Sequence, residues 1–151
     1  MIEQEQVMPL FVAACPSFEG PLEAYASDNY GKGDERLLYC ELGEFSRHLI
    51  DLASSGNVEE LPAVFAVIER LHLEGTPYVR EAATIGLLEG IQNNASHSDF
   101  DLAKLTCYLR PESAYWWQQV ADFWEGKVRF VGEGPRNGAK PTASPPPRPA
   151  G

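Results

Sequence analysis

Residues 57–94 decide the fold, and they read NVEELPAVFAVIERLHLEG followed by TPYVREAATIGLLEGIQNN. The first half opens with Asn57, a residue type that favours helix N-termini, and Glu60 follows three positions later as in a capping box. Gly75 then interrupts the pattern. In the second half Thr76 can cap a new helix, and the proline after it suits the first helical position. The stretch therefore predicts two antiparallel helices joined by a tight turn.

Apolar side chains recur along both halves at the spacing of an α-helix. In the first half the stripe consists of Leu61, Val64, Phe65, Ile68 and Leu71. In the second half it is narrow and made mostly of small residues, namely Val79, Ala82, Ala83, Gly86 and Leu87. Small side chains let a neighbouring helix approach closely, which is typical of HEAT-like helix pairs.

Helical patterns also fill most of the remaining chain. We expect further helices at about residues 3–14, 21–27, 35–54, 98–105 and 111–125. Asp34 is the expected cap of the helix that follows it. No strand pattern competes, apart from a short segment at 128–131 that could pair or pack in extended form. The sequence therefore predicts an all-α protein, a compact irregular stack of six to seven helices with HEAT-like antiparallel pairs.

The end of the chain differs in composition from the rest. Residues 127–151 contain 6 prolines and 4 glycines and finish with SPPPRPAG. Such a segment carries too little apolar surface to form a core. We therefore expect a helical domain at residues 1–131 and a disordered, Pro/Gly-rich tail at residues 132–151 that is dispensable for folding.

Charge is distributed unevenly. Residues 1–126 contain 21 acidic and 7 basic residues, a net charge of −14, whereas residues 127–151 have a net charge of +4. Nucleic acids and anionic membranes are themselves negatively charged, so an acidic body argues against both as partners. The same charge would attract a basic protein, although it can also serve solubility alone.

Three features bear on cellular location. The N-terminus lacks the basic and apolar regions of a signal peptide, and no apolar run reaches membrane-spanning length. The cysteines, Cys15, Cys40 and Cys107, are odd in number and widely spaced, which favours reduced thiols over a disulfide framework. We expect a cytoplasmic protein.

The best candidates for catalysis are carboxylates near histidines. Glu69 and His72 are three residues apart on one helix, the spacing used in di-iron bundles, and Glu41 and Glu44 lie on the preceding helix. A di-iron site needs two such Glu-x-x-His elements, and the chain has one clear example. A small metal-binding helical enzyme is therefore the alternative to a solvated charged face. No phosphate-binding glycine loop and no nucleophile motif near a histidine is present.

A family resemblance rests on two runs. Residues 78–93 read YVREAATIGLLEGIQN, and residues 109–113 read LRPES just before a tryptophan-rich helix. Together with an N-terminal helix that ends in Ala-Cys-Pro, this order resembles a group of small bacterial proteins. Many of those proteins are similar to immunity proteins of polymorphic, Rhs-type toxin systems. The resemblance covers about residues 5–125 and involves mostly helix-packing residues.

The resemblance implies a non-enzymatic protein that binds and neutralises a cognate toxin domain. We expect no cofactor or metal, and the acidic charge argues against a nucleic-acid or membrane partner. It implies no catalytic residues. From their position around one corner of the predicted stack, we expect the toxin to contact Glu81, Glu89, Asn93, Asp99 and Asp101. Trp117, which lies off the main apolar stripe, could supply an anchor. A general helical adaptor is a further alternative, which a partner pull-down would distinguish.

Overall fold

The computed structural model describes residues 1–136, and within this range it consists of helices and connecting turns, with no strand. The helices are α1 (Gln4–Ala14), α2 (Glu19–Asn29), α3 (Leu38–Ser54), α4 (Leu61–Glu74), α5 (Pro77–Glu81), α6 (Glu89–Ser96), α7 (Ala103–Thr106) and α8 (Pro111–Trp124). A 3₁₀ turn at Pro16–Phe18 precedes α2, and a π-helical segment at Ala82–Leu88 joins α5 to α6. Because α5, the π segment and α6 are continuous, the described residues form seven helical units. The predicted all-α stack is confirmed.

The predicted hairpin is confirmed as α4 followed by α5. Thr76 caps α5 by accepting a hydrogen bond from the backbone N–H of Val79 at 3.2 Å. Gly75 lies where a β-carbon would collide with the carbonyl oxygen of Leu71 and lie 2.7 Å from Cγ1 of Val79. Its backbone φ of −75° is open to any residue. Glycine is therefore required in this turn by close approach and not by its backbone angle.

Two predicted helix caps are wrong. Asn57 lies in the loop before α4 and does not cap it. The carboxylate of Glu60 instead accepts a hydrogen bond from the backbone N–H of Ser17 at 3.1 Å, so a long-range contact replaces the expected capping box. Asp34 accepts from the backbone N–H of Gly31 at 2.6 Å, which closes a turn and delays the start of α3.

Two segments in the C-terminal half of the chain differ in secondary structure from what the sequence predicts. The helix expected at 98–105 is a single turn, because the Asp101 carboxylate accepts from the backbone N–H of Ala103 at 3.0 Å and sets a later start. Residues 128–131 form bends and the beginning of a turn, so the short extended piece is absent. Both errors arise where local polar contacts override a weak apolar pattern.

The N-terminal segment joins α1 to the hairpin turn. The backbone N–H of Ile2 donates to the carbonyl of Glu74 at 2.8 Å, and the N–H of Thr76 donates to the carbonyl of Ile2 at 3.1 Å. The Ile2 side chain is buried. Pro9 lies inside α1, at the cost of one intrahelical hydrogen bond.

The core lies where α1, α3, α4 and the π segment meet. The largest fully buried side chains are Phe11, Phe18, Phe45, Phe65, Leu42, Leu49, Leu61, Ile68, Leu71, Leu87, Leu88 and Ile91. The ring of Phe45 lies 4.7 Å from that of Phe11 and 4.8 Å from that of Phe18, measured between centroids. None of the helices in the described range is long and apolar enough to cross a membrane.

The small residues of the π segment face α3. Ala82, Ala83 and Gly86 are buried. A β-carbon built on Gly86 would lie 2.9 Å from Cδ1 of Leu42 and 3.3 Å from Cδ1 of Tyr39. The predicted close approach at this stripe therefore exists, and α3 is the helix that approaches.

The chain folds back onto α8 after that helix ends. The Tyr115 hydroxyl lies 3.0 Å from the carbonyl oxygen of Gly132 and 2.7 Å from that of Gly134, in position to donate to either. The backbone N–H of Gly134 donates to Oε1 of Gln119 at 2.7 Å. We call residues 132–136 the C-terminal strap. These five residues belong to the segment predicted as a tail, and they contact the helical body.

Replacing Gly86 with leucine should lower the free energy of unfolding by about 1–3 kcal/mol, because the added side chain must displace Leu42 and Tyr39. Gly20 offers a matched control, since a β-carbon there meets nothing within 4 Å. Gly20→Leu should leave stability equal or slightly higher, because leucine favours helix more than glycine by roughly 1 kcal/mol at most. Urea denaturation measures both variants. Equal stability of Gly86→Leu and wild type would place this face in solvent.

Residues 137–151 lie outside the described residues, so the predicted tail stays a prediction there. Truncation separates the strap from the rest. A chain that ends at Val131 loses the strap, whereas one that ends at Arg136 keeps it. We expect the shorter chain to melt about 2–8 °C below the longer one, because its lost hydrogen bonds are worth about 1–2 kcal/mol. Identical melting temperatures would show that the strap contributes nothing to stability.

Candidate partner-binding cleft

A cleft of about 860 Å³ lies between α1, α2 and the segment that leads into α3. Its apolar lining comes mainly from Met8, Pro9 and Val12 on α1, Leu22 on α2 and Leu38 at the start of α3. Met8 and Leu38 are almost completely buried, so they form a floor and not a loose surface patch. Clefts of this size and character bind drug-sized molecules or clusters of partner side chains.

Carboxylates surround this floor. The exposed acidic residues that line the cleft are Glu5, Glu19, Glu23 and Glu35. Glu19 and Glu23 are one helical turn apart and therefore lie on the same side of α2. The arrangement combines an apolar floor with a negative rim, which suits an apolar side chain flanked by positive charges.

Arg36 is the one cation among the described residues that line the cleft, and its charge is already matched. Its Nε donates to the buried Glu41 carboxylate at 2.8 Å. The same carboxylate oxygen accepts from the Tyr30 hydroxyl at 2.8 Å, and the guanidinium lies over the Tyr30 ring. Because Glu41 neutralises Arg36, the rim carboxylates determine the net charge of the cleft.

Sequence reasoning missed this cleft. In the sequence the rim residues stand out only as part of the net negative charge. The one local signal is the i,i+4 spacing of Glu19 and Glu23, which places both on the same side of a helix. The cleft exists because α1 and α2 both dock beside the start of α3, which is a tertiary arrangement.

The residues predicted to bind a partner lie elsewhere: five are on α5, on α6 or in the loop that follows α6, and Trp117 is on α8. Glu81, Asn93, Asp99 and Asp101 are exposed. Asp101 is also the residue that fixes the start of α7. None of the six predicted residues lines the cleft.

Glu89 and Trp117 are less available than predicted. Glu89 is half-buried, and burial raises its pKa although the nearby Trp124 side chain acts to lower it. Trp117 is half-buried against the hydrophobic core, and its carbonyl accepts from the Gln92 side chain at 3.1 Å. Trp124 is the more exposed tryptophan, at 62%.

Of the residues in the metal-enzyme alternative, Glu69 and His72 lie close together, since the Ser113 hydroxyl is 2.7 Å from Oε1 of Glu69 and 3.4 Å from Nδ1 of His72. Among residues 1–136, no group of three or more His, Cys, Asp or Glu is placed to hold a metal ion. Glu44 pairs with Arg47 at 2.6 Å. Glu69 accepts hydrogen bonds from the backbone N–H groups of Glu112 at 3.0 Å and Ser113 at 2.8 Å. These donors lie in the first turn of α8, so Glu69 stabilises a helix N-terminus.

His72 is buried in a hydrogen-bond network between α4 and the π segment. Its Nδ1 lies 3.0 Å from the carbonyl oxygen of Ile68, and its Nε2 lies 2.9 Å from the Thr84 hydroxyl. Burial lowers the pKa of His72 despite the nearby carboxylates of Glu69 and Glu112, which raise it. In the neutral ring Nδ1–H donates to Ile68, and the Thr84 hydroxyl donates to Nε2. All of these groups are satisfied internally, which indicates a structural role.

A serine and a histidine that are distant in sequence also come together in the fold. The hydroxyl of Ser17 lies 2.8 Å from Nε2 of His48. Burial lowers the pKa of His48, which favours the neutral ring. Glu60, whose negative charge acts on His48, accepts a hydrogen bond from the Ser17 backbone N–H. The 31-residue separation leaves no motif in the sequence, and the contact links the turn after α1 to α3.

The fold and the cleft define a small all-helical protein with an acidic, partly apolar cleft. Residues 8–125 match the family described as Domain of unknown function (DUF7674), and the chain belongs to that family. No curated protein and no solved structure gives a significant match.

Stability should decrease as the pH falls from 7.5 to 5.5. Because the folded pKa of His72 is below its ordinary value of 6.5, the unfolded chain binds more protons in this range, and the free energy of unfolding falls. His48 acts in the same direction. Urea denaturation measures the free energy of unfolding at pH 7.5 and at pH 5.5. The difference between the two values should be smaller for His72→Gln than for wild type.

The histidine substitution has a control and a contradicting outcome. His97→Gln changes an exposed residue and should keep the full pH difference. His72→Gln should also lower the free energy of unfolding at pH 7.5 by about 1–3 kcal/mol, because buried groups that now bond to the imidazole are left without a hydrogen-bond partner. If the pH difference of His72→Gln equals that of wild type, His72 is not responsible for the pH dependence.

Proposed function

We propose that this protein is a non-enzymatic immunity protein that binds a cognate toxin domain and blocks its substrate site by protein–protein contact. The observation that carries the proposal is the cleft between α1 and α2, with its apolar floor and its rim of exposed carboxylates. The resemblance to immunity proteins of Rhs-type toxin systems supplies the class of partner.

Charge explains why such a protein would suit a toxin. Toxins that act on nucleic acids or nucleotides often have basic substrate clefts, because their substrates are polyanions. An acidic protein can fill such a cleft, and opposite charges raise the association rate at low salt. The helical body, with a net charge of −14 over residues 1–126, provides the attractive field.

The apolar floor can supply binding affinity that charge alone does not. Interfaces owe most of their affinity to a few apolar or aromatic side chains buried in pockets near the centre. Met8 and Leu22 lie at the floor of the cleft, and methionine adapts to different partner shapes. A partner that inserts an apolar side chain here, flanked by lysine or arginine, would meet matching chemistry at both the floor and the rim.

Geometry favours the cleft over the surface predicted from sequence. Glu89 and Trp117 are half-buried against the body, and Asp101 is used to start α7. The rim residues Glu19 and Glu23 are exposed on one side of α2. The cleft therefore offers both free charge and apolar depth, whereas the predicted surface offers mainly isolated charges.

Co-expression with the product of the adjacent gene tests the proposal. Cells that carry that gene should survive only when this protein is present, and the two proteins should co-elute as a complex in size-exclusion chromatography. Equal killing with and without this protein, together with no complex, would refute the immunity function.

Charge reversal identifies the surface used. Glu19→Lys with Glu23→Lys should reduce protection and slow association by at least about tenfold at low salt, since the two substitutions change the rim charge by four units. The matched control is Glu81→Lys with Asp99→Lys, which changes net charge equally at two exposed residues of the predicted surface. If only this second pair abolishes binding, the immunity function stands and the cleft assignment is wrong. Melting curves verify that both variants fold.

A further inference from the structure

A second surface, on α8, is covered by an arginine side chain of the same protein. The guanidinium of Arg136 lies over the ring of Tyr115, 4.5 Å from its centroid, and 5.5 Å from that of Trp116. Its Nη1 donates a hydrogen bond to Oε1 of Glu112 at 2.6 Å. One side chain thus makes an ion pair and two cation–π contacts at the same place.

The groups around this guanidinium are also held in position by contacts that do not involve Arg136. The Trp116 indole N–H donates to the Glu112 carboxylate at 3.2 Å, and the rings of Tyr115 and Trp116 meet edge to face at 5.1 Å. Trp116 also stacks on the buried His72, with centroids 6.3 Å apart and planes 8° apart. Because His72 is fixed by its own hydrogen bonds, the face of Trp116 is fixed as well.

The chemistry of the surface matches arginine better than lysine. A guanidinium is planar, so it can lie against aromatic rings and still direct an N–H group at a carboxylate in its plane. A lysine ammonium is a more strongly hydrated point charge and cannot do both over an extended surface. The partly buried carboxylate of Glu112 strengthens the ion pair relative to a fully exposed one.

We propose that Glu112, Tyr115 and Trp116 form an arginine-recognition site that Arg136 occupies in the free protein and that an arginine of a protein partner takes over when the strap moves away. The proposal is independent of the cleft and of the immunity function. The strap is held to α8 by short polar contacts, with the Gly134 N–H on Gln119 and the Tyr115 hydroxyl between two strap carbonyls. These contacts are only partly buried, and polar contacts of this kind open more readily than a fully buried apolar interface.

The intramolecular arginine sets the apparent affinity for an external one. If Arg136 occupies the site about nine-tenths of the time, an external arginine binds about tenfold more weakly than it would to the open site. Removing the Arg136 side chain should therefore increase the affinity for a free arginine derivative. The site remains intact in such a variant, because Arg136 is half-exposed and lies outside the helical core.

The test titrates full-length wild type and Arg136→Ala with N-acetyl-L-argininamide and follows the indole N–H signal of Trp116 by NMR. We expect saturable binding to Arg136→Ala that is about tenfold tighter than binding to wild type. N-acetyl-L-lysinamide should bind more weakly, which separates guanidinium recognition from simple charge attraction. Adding Glu112→Gln to Arg136→Ala should abolish the gain.

Two results would overturn the proposal. The first is identical titration of wild type and Arg136→Ala, which would show that Arg136 does not occupy the site. The second is equal binding of the arginine and lysine derivatives, which would reduce the surface to a general cation patch. Melting temperatures of Arg136→Ala and the double variant verify that both remain folded, so that a missing signal counts against the site.

Discussion

The close contact between the π segment and α3 is the constraint on which the rest of the structure depends. Gly86 lets Leu42 and Tyr39 approach to distances that a side chain would prevent. Ala82 and Ala83 extend the same narrow face. With this contact formed, α4, α8 and α1 each find a fixed neighbour, and the large apolar side chains of α3 and α4 fill one core. Close packing of this kind tolerates little change in volume.

Polar contacts then fix the positions of helices that apolar packing leaves free to slide. His72 joins α4 to Thr84 in the π segment, and Glu69 accepts from the first turn of α8. Both side chains looked like metal ligands in the sequence, yet each is satisfied by a neighbouring helix. The π segment matters here, because local widening of a helix changes the direction in which a residue such as Thr84 points. Buried polar networks of this kind specify one arrangement out of several with similar apolar burial.

The two proposed binding surfaces follow from the same frame but use it differently. The cleft lies between α1 and α2, where docking on α3 leaves an apolar floor with a rim of carboxylates. The arginine site lies on α8, where stacking on His72 fixes Trp116. Both surfaces favour cationic protein partners, which is consistent with the strongly acidic body. They differ in that the cleft selects by apolar depth and the α8 site by guanidinium geometry.

The sequence by itself determined the helical class, the hairpin turn and the small-residue stripe, because each depends on local preferences or on 3.6-residue periodicity. Thr76, Gly75 and Gly86 have the roles that their residue types indicated. Tertiary structure decided what long-range contacts control. Glu60 accepts a hydrogen bond from the Ser17 backbone and does not form the expected capping box. Glu69 accepts from the first turn of α8, and the cleft lies where α1 and α2 meet. These outcomes depend on which distant groups come within hydrogen-bonding distance, and a single sequence carries no signal for that.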